Sequence, residues 1–82
     1  IMNEKRKQGV VMSLAHSETG SKVLVQDLRA GQRFRHRMAE LGIFPGALIR
    51  VLKKEGRGPL LIQIGGSRLM LGRRMAEKIT VK

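Results

Sequence analysis

The chain has 82 residues, no cysteine, and 17 Lys and Arg against 6 Asp and Glu, a formal net charge of +11. That length is one small domain with a modest core, and the missing thiols exclude a disulfide scaffold, a cysteine nucleophile and thiolate metal ligation. The hydrophobic share of 41% is enough to build a core, and the basic balance calls for an acidic partner: nucleic acid, an anionic membrane face or an acidic protein surface.

Residues 1 to 8 are polar, carry clustered charge and lack periodicity, so a flexible tail or an added remnant is expected over 1–11 and a single domain over 12–82. Lys5-Arg6-Lys7, followed after Gln8 by Gly-Val-Val-Met-Ser-Leu-Ala, is the one signal-like segment. It is short and broken at Ser13, which argues against secretion and for a cytoplasmic protein. Ile1 is not an initiator residue, so a processed end is expected, with Met2 or Met12 as the natural start.

Val10 to Leu14 reads as a first short strand, and His16 to Ser21 as a turn by composition. Lys22 to Leu28 alternates, which places Val23, Val25 and Asp27 on one face and Leu24, Gln26 and Leu28 on the other. After the break at Ala30-Gly31, helical spacing is expected over Arg33 to Leu41, with Phe34, Met38 and Leu41 as its buried stripe. Arg33, Arg35, His36 and Glu40 then project outward. Positive charge near a helix N-terminus opposes the macrodipole by a few tenths of a kcal/mol per residue, so this pattern does not serve helix stability.

Gly42 suits the left-handed residue that closes a helix, and Pro45-Gly46 suits the middle of a type II turn. Ala47 to Lys54 is the next strand, with Ala47, Ile49 and Val51 on one face. Glu55 to Pro59 is a loop tip. Leu60 to Ile64 and Ser67 to Leu71 flank Gly65-Gly66, a hairpin whose two-residue turn draws on the tolerance of glycine for positive φ. Gly72 to Glu77 reads as a single helical turn, and Ile79-Thr80-Val81 as a closing strand. Five to six short strands with one inserted helix make a mainly β protein. A small SH3-like barrel is the natural architecture, because closing the sheet removes exposed edges.

The order of these parts resembles the FeoA family, small cytosolic proteins associated with ferrous iron transport. The resemblance rests on Arg37, Glu40, Leu41, Gly42, Pro45 and Gly46 at the helix-turn corner. Gly58, Pro59, Leu60, Ile62, Ile64 and Gly65 then match around the hairpin, and Leu71, Ala76, Ile79 and Val81 at the end. Met38 stands where the family favours leucine, a swap that conserves volume, and Met70 stands where a small residue is usual. The resemblance implies an accessory or regulatory partner of the FeoB-type membrane permease with its cytosolic GTP-binding region. A similar domain forms the C-terminal module of metal-dependent repressors, so a metal-sensing module is a further reading implied by the resemblance.

Candidate sites divide by chemistry. The partner-binding surface expected from exposed charge is Arg33, Arg35, His36 and Glu40, with Arg57 in the loop tip. His36 and Glu40 also have the i, i+4 spacing of paired metal ligands, with His16 or Glu18 as the only nearby source of a third. An ordinary exposed surface pair is the preferred reading of that spacing, since exposed i, i+4 pairs are common. The five methionines share no short spacing, and ferrous iron prefers oxygen and nitrogen donors. No cofactor is required by the sequence, and a divalent metal such as Fe2+ is the one candidate. Arg73-Arg74 after Gly72 suggests an anion-binding corner or a plain capped turn.

No P-loop, nucleophile elbow or carboxylate pair is present, and one aspartate with two histidines leaves little for acid-base chemistry. An enzyme and a small-molecule substrate are therefore not expected. A nucleic-acid-binding basic barrel is the alternative that charge alone allows. Phe34 and Phe44 are the only aromatic residues, too few for a base-stacking platform.

Overall fold

The computed structural model describes residues 12–82. The expected tail, and Val10 and Val11 of the first strand, lie outside them. Among the described residues there are six strands: β1 (Met12–Ser13), β2 (Lys22–Leu28), β3 (Leu48–Lys54), β4 (Leu60–Ile64), β5 (Ser67–Leu71) and β6 (Ile79–Val81). Two helices interrupt them, α1 (Gln32–Glu40) and α2 (Arg73–Glu77), and a 3-10 turn covers Leu14–His16. Leu14 thus leaves the expected first strand for that turn, where it and Ala15 are fully buried.

All strand pairs are antiparallel, in the order β1-β6-β2-β3-β4-β5. Among the described residues the ladder ends at β1 and β5, so the barrel is completed by packing and not by a final hydrogen-bonded pair. The 3-10 turn packs on α2 and β6 to do so. Alternation supplies the core: Ile49 and Val51 from β3, Leu60 and Ile62 from β4, Ile79 and Val81 from β6 all point inward and are fully buried.

Strand β2 departs from simple alternation. Its pairing with β6 slips between Val25 and Asp27, a bulge that gives one strand an extra residue and reverses the facing of the positions beyond it. Val25 and Leu28 are therefore both buried, while Asp27 is exposed. The expectation that Asp27 shares the face of Val25 fails for this reason.

The corner after α1 is built as its residues suggest. Gly42 has φ +93, its N-H donates to the Ala39 carbonyl at 2.9 Å, and the Ile43 N-H donates to the Met38 carbonyl at 2.9 Å. This is a Schellman motif, whose two bonds satisfy carbonyls that the helix end leaves open. Pro45 and Gly46, the latter at φ +97, then form a type II turn closed by Ala47 N-H to Phe44 carbonyl at 2.9 Å.

The same motif corrects the helix stripe. Met38 is 1% exposed and Ile43 fully buried, whereas Leu41 is 44% exposed and Phe34 only half-buried. Ile43, the second residue past the cap, packs back toward Met38 and takes the core position expected of Leu41. Burying such a side chain contributes about 1.5–3 kcal/mol. Phe34 lies at the edge, with the Lys78 ammonium 5.3 Å from its ring centroid, a cation-π contact that links α1 to the end of α2. The hairpin between β4 and β5 keeps its expected register, from Leu60 opposite Leu71 to Ile64 opposite Ser67. Only Gly65 of its turn has positive φ.

Candidate functional site

Helix α1 is the most exposed regular element of the fold. Of its nine residues only Met38 is buried, and its N-cap is Gly31 with no side-chain cap and no acidic residue in the first turn. Three arginines, at 33, 35 and 37, stand against Glu40 on this helix. A helix held to a barrel by Met38 and the edge of Phe34 leaves most of its circumference for a partner.

A shallow groove runs along one side of it, lined by Gln32, Arg33, His36, Arg37 and Glu40. The spacing explains the membership: 33, 36, 37 and 40 follow the i, i+3, i+4, i+7 rule for one helical face. Arg33, His36 and Glu40 are thus brought together. Arg35 is not, because two residues along a helix turn the side chain to the far flank, roughly 160° away. Arg37 stands in its place, a residue that the sequence marks only as part of the corner motif. Counting the face in steps of three and four would have found it.

His36 and Glu40 share the groove, yet among the described residues no third His, Cys, Asp or Glu joins them in a group able to hold a metal ion. His16 is elsewhere, its Nδ1 2.8 Å from the Ser13 hydroxyl. With Glu18 it lines a separate cleft beside Val23 and Val81. Two exposed donors do not fix a divalent ion.

Arg57 also separates from the helix face. It lines an open cleft with Arg73, Arg74 and Glu77, because the loop after β3 folds against α2. Arg73 makes the attachment, its Nη1 donating to the Gly56 carbonyl at 3.1 Å. Sequence spacing carries no signal for this contact, which depends on how β3, β4 and α2 come together in space. Among the described residues, no helix is long and apolar enough to cross a membrane.

The comparisons with known proteins point to one family, and a manganese-dependent transcriptional repressor also superposes, with a TM-score of 0.76 at 25% identity, covering 87% of this chain and 40% of that one. The family model for the FeoA domain matches residues 12–82. The candidate Fe(2+) transport protein A of Methanocaldococcus jannaschii is 33% identical over 69 residues, 84% of this chain and 83% of its own. The crystal structure of an iron uptake regulatory protein, FeoA, superposes with a TM-score of 0.83 at 32% identity, covering 89% of this chain and 97% of that one. The zinc complex of Stenotrophomonas maltophilia FeoA, an SH3 domain protein, gives a TM-score of 0.71 at 30% identity, with 87% and 89% covered. The barrel is SH3-like, as the sequence led us to expect.

Proposed function

The chain belongs to the FeoA family, and from that premise we propose that it is a non-enzymatic, cytoplasmic accessory protein of ferrous iron uptake. In this reading it binds the cytosolic, GTP-binding part of a FeoB-type permease. The observation that carries the reading is that the family match spans every described residue of the fold. The relatives supply the process: one is a candidate Fe(2+) transport protein, and another has been suggested as a ferrous iron transport activating factor. Ferrous iron is the cargo of the partner here, and no step is assigned to it on this chain.

The contact is placed on the α1 groove, Arg33, His36, Arg37 and Glu40, which supports docking in two ways. Its side chains are exposed, and the helix that presents them is fixed by the Schellman corner. Arg guanidinium groups form directed, paired hydrogen bonds with carboxylates, so an acidic patch on the permease domain is the complementary surface. The net charge of +11 adds long-range steering toward such a patch, which salt screens.

The test is co-purification with the permease's cytosolic region, in the presence and absence of ferrous iron. Wild type is expected to bind, and the double variant Arg33→Glu/Arg37→Glu to bind at least about tenfold more weakly, as the loss of two charge-assisted contacts requires. Arg35→Glu, on the far flank, is expected to bind as wild type. Unchanged binding by the folded double variant removes the groove from the contact. No binding by wild type in either condition overturns the permease reading.

A further inference from the structure

A second basic cluster, away from α1, has no part in that reading. Arg57, Arg73 and Arg74 line one cleft, with Glu77 as its single carboxylate. The loop that carries Arg57 has a defined shape: the Gly58 N-H donates to the Glu55 carbonyl at 2.8 Å, closing a four-residue turn. Gly56 sits at φ +53. At Gly58 a Cβ would come within 3.2 Å of the Glu55 carbonyl oxygen, a tight contact that the turn would have to relax by a few tenths of an ångström to accept. Arg57 thus sits at the tip of a turn in which Gly56 supplies the positive φ.

Arg73 fastens this turn to α2. Its Nη1 donates to the Gly56 carbonyl at 3.1 Å, and its Nε lies 3.8 Å from the Glu77 carboxylate. Glu77 is thereby matched to a cation already engaged in structure. Arg57 and Arg74, both exposed, remain on either side of the cleft with no side-chain hydrogen bond or ion pair among the described residues.

We propose that this cleft binds the phosphate group of a diphosphate or phosphate ester. The charge argues for it: three guanidinium groups against one carboxylate leave an excess of two, and a phosphate monoester carries about −1.5 to −2 at neutral pH. Geometry favours phosphate over carboxylate. A carboxylate is satisfied by one planar fork, whereas the terminal oxygens of a phosphate accept from several directions. Here the guanidinium groups come from two elements, a loop tip and a helix. The same chemistry arrives on a soluble phosphate ester or on a lipid headgroup, and the test separates the two.

The full chain, labelled with 15N, is titrated with inorganic pyrophosphate at low salt while amide shifts are followed. Saturable shifts are expected at Gly56, Arg57, Gly58, Arg73 and Arg74. Arg57→Ala/Arg74→Ala, two exposed positions, is expected to weaken the affinity at least about tenfold, while Arg33→Ala/Arg37→Ala leaves it unchanged. Flotation with phosphatidic-acid and phosphatidylcholine vesicles then assigns the source. Binding to the first alone, lost in Arg57→Ala/Arg74→Ala, identifies a headgroup. Pyrophosphate binding without flotation identifies a soluble ligand. The proposal is overturned by shifts that do not saturate, by equal shifts along α1, by an unchanged affinity in the double variant, or by citrate binding as tightly as pyrophosphate. The permease contact stands or falls separately, since none of these residues belongs to the α1 groove.

Discussion

Alanine at Gly65 and alanine at Gly66 should have opposite effects on stability, although the two glycines are adjacent in one turn. Gly65 has φ +59 and Gly66 lies outside the left-handed region. That pairing of signs belongs to a type II′ turn and not to type I′, which needs positive φ at both positions. A Cβ at either residue would meet no atom within 4 Å, so crowding does not enter. The first central position of a type II′ turn has positive φ but lies outside the left-handed helical well, and holding an L-residue in such a sparsely populated region costs about 1–3 kcal/mol. Both substitutions also stiffen the unfolded chain, a stabilising effect of about 0.4–1 kcal/mol. Gly65→Ala is therefore expected to lose about 1–2 kcal/mol net, and Gly66→Ala to gain about 0.4–1 kcal/mol. The unfolded-state contribution cancels in the comparison, leaving a gap of about 1–3 kcal/mol between the variants. For a domain of this size that is about 4–8 °C in Tm per kcal/mol, easily resolved by calorimetry. Equal losses in both variants would show that both positions are left-handed and refute the assignment.

Other substitutions test the corrected core and the corner. Ile43→Ala should cost about 2–5 kcal/mol in urea unfolding, as the loss of a fully buried side chain does, while Leu41→Ala should stay within about 1 kcal/mol; the reverse ranking would restore Leu41 to the helix stripe. Met38→Ala should fall in the same range as Ile43→Ala, about 2–5 kcal/mol, because both residues carry the Schellman contact. Lys53→Ala, which breaks the exposed pair with Glu55 at 3.1 Å, should change stability by less than about 1 kcal/mol and less still at high salt.

The parts of this fold that were legible in sequence are those fixed by local chemistry. Gly42, Pro45 and Gly46 specify backbone conformations that few other residues adopt, so the corner could be read residue by residue. The alternating strands β3, β4 and β5 were legible because one face is buried. Strand β2 was not, since its bulge arises from pairing with β6 and leaves no mark in the alternation. Leu41 misled because simple helical spacing ignores the cap; the apolar contact between Met38 and Ile43 that accompanies a Schellman motif would have corrected it. At the candidate site, Arg33, Arg35, His36 and Glu40 were picked out as exposed charge, and all four are exposed. Exposure alone does not separate the two flanks of the helix, so Arg35 and Arg37 could be told apart only by counting the face in steps of three and four. Arg57 required the tertiary packing of a loop on α2, which one sequence does not encode in any periodic form.

The most direct measurement of the central claim is calorimetric titration of this protein with the isolated cytosolic region of a FeoB-type permease, for wild type, Arg33→Glu/Arg37→Glu and Arg35→Glu. Saturable, salt-sensitive binding is expected for wild type and Arg35→Glu, and an affinity at least about tenfold weaker for the double variant. Wild type that gives no binding heat at low salt, or a folded double variant that binds as tightly as wild type, would contradict the claim.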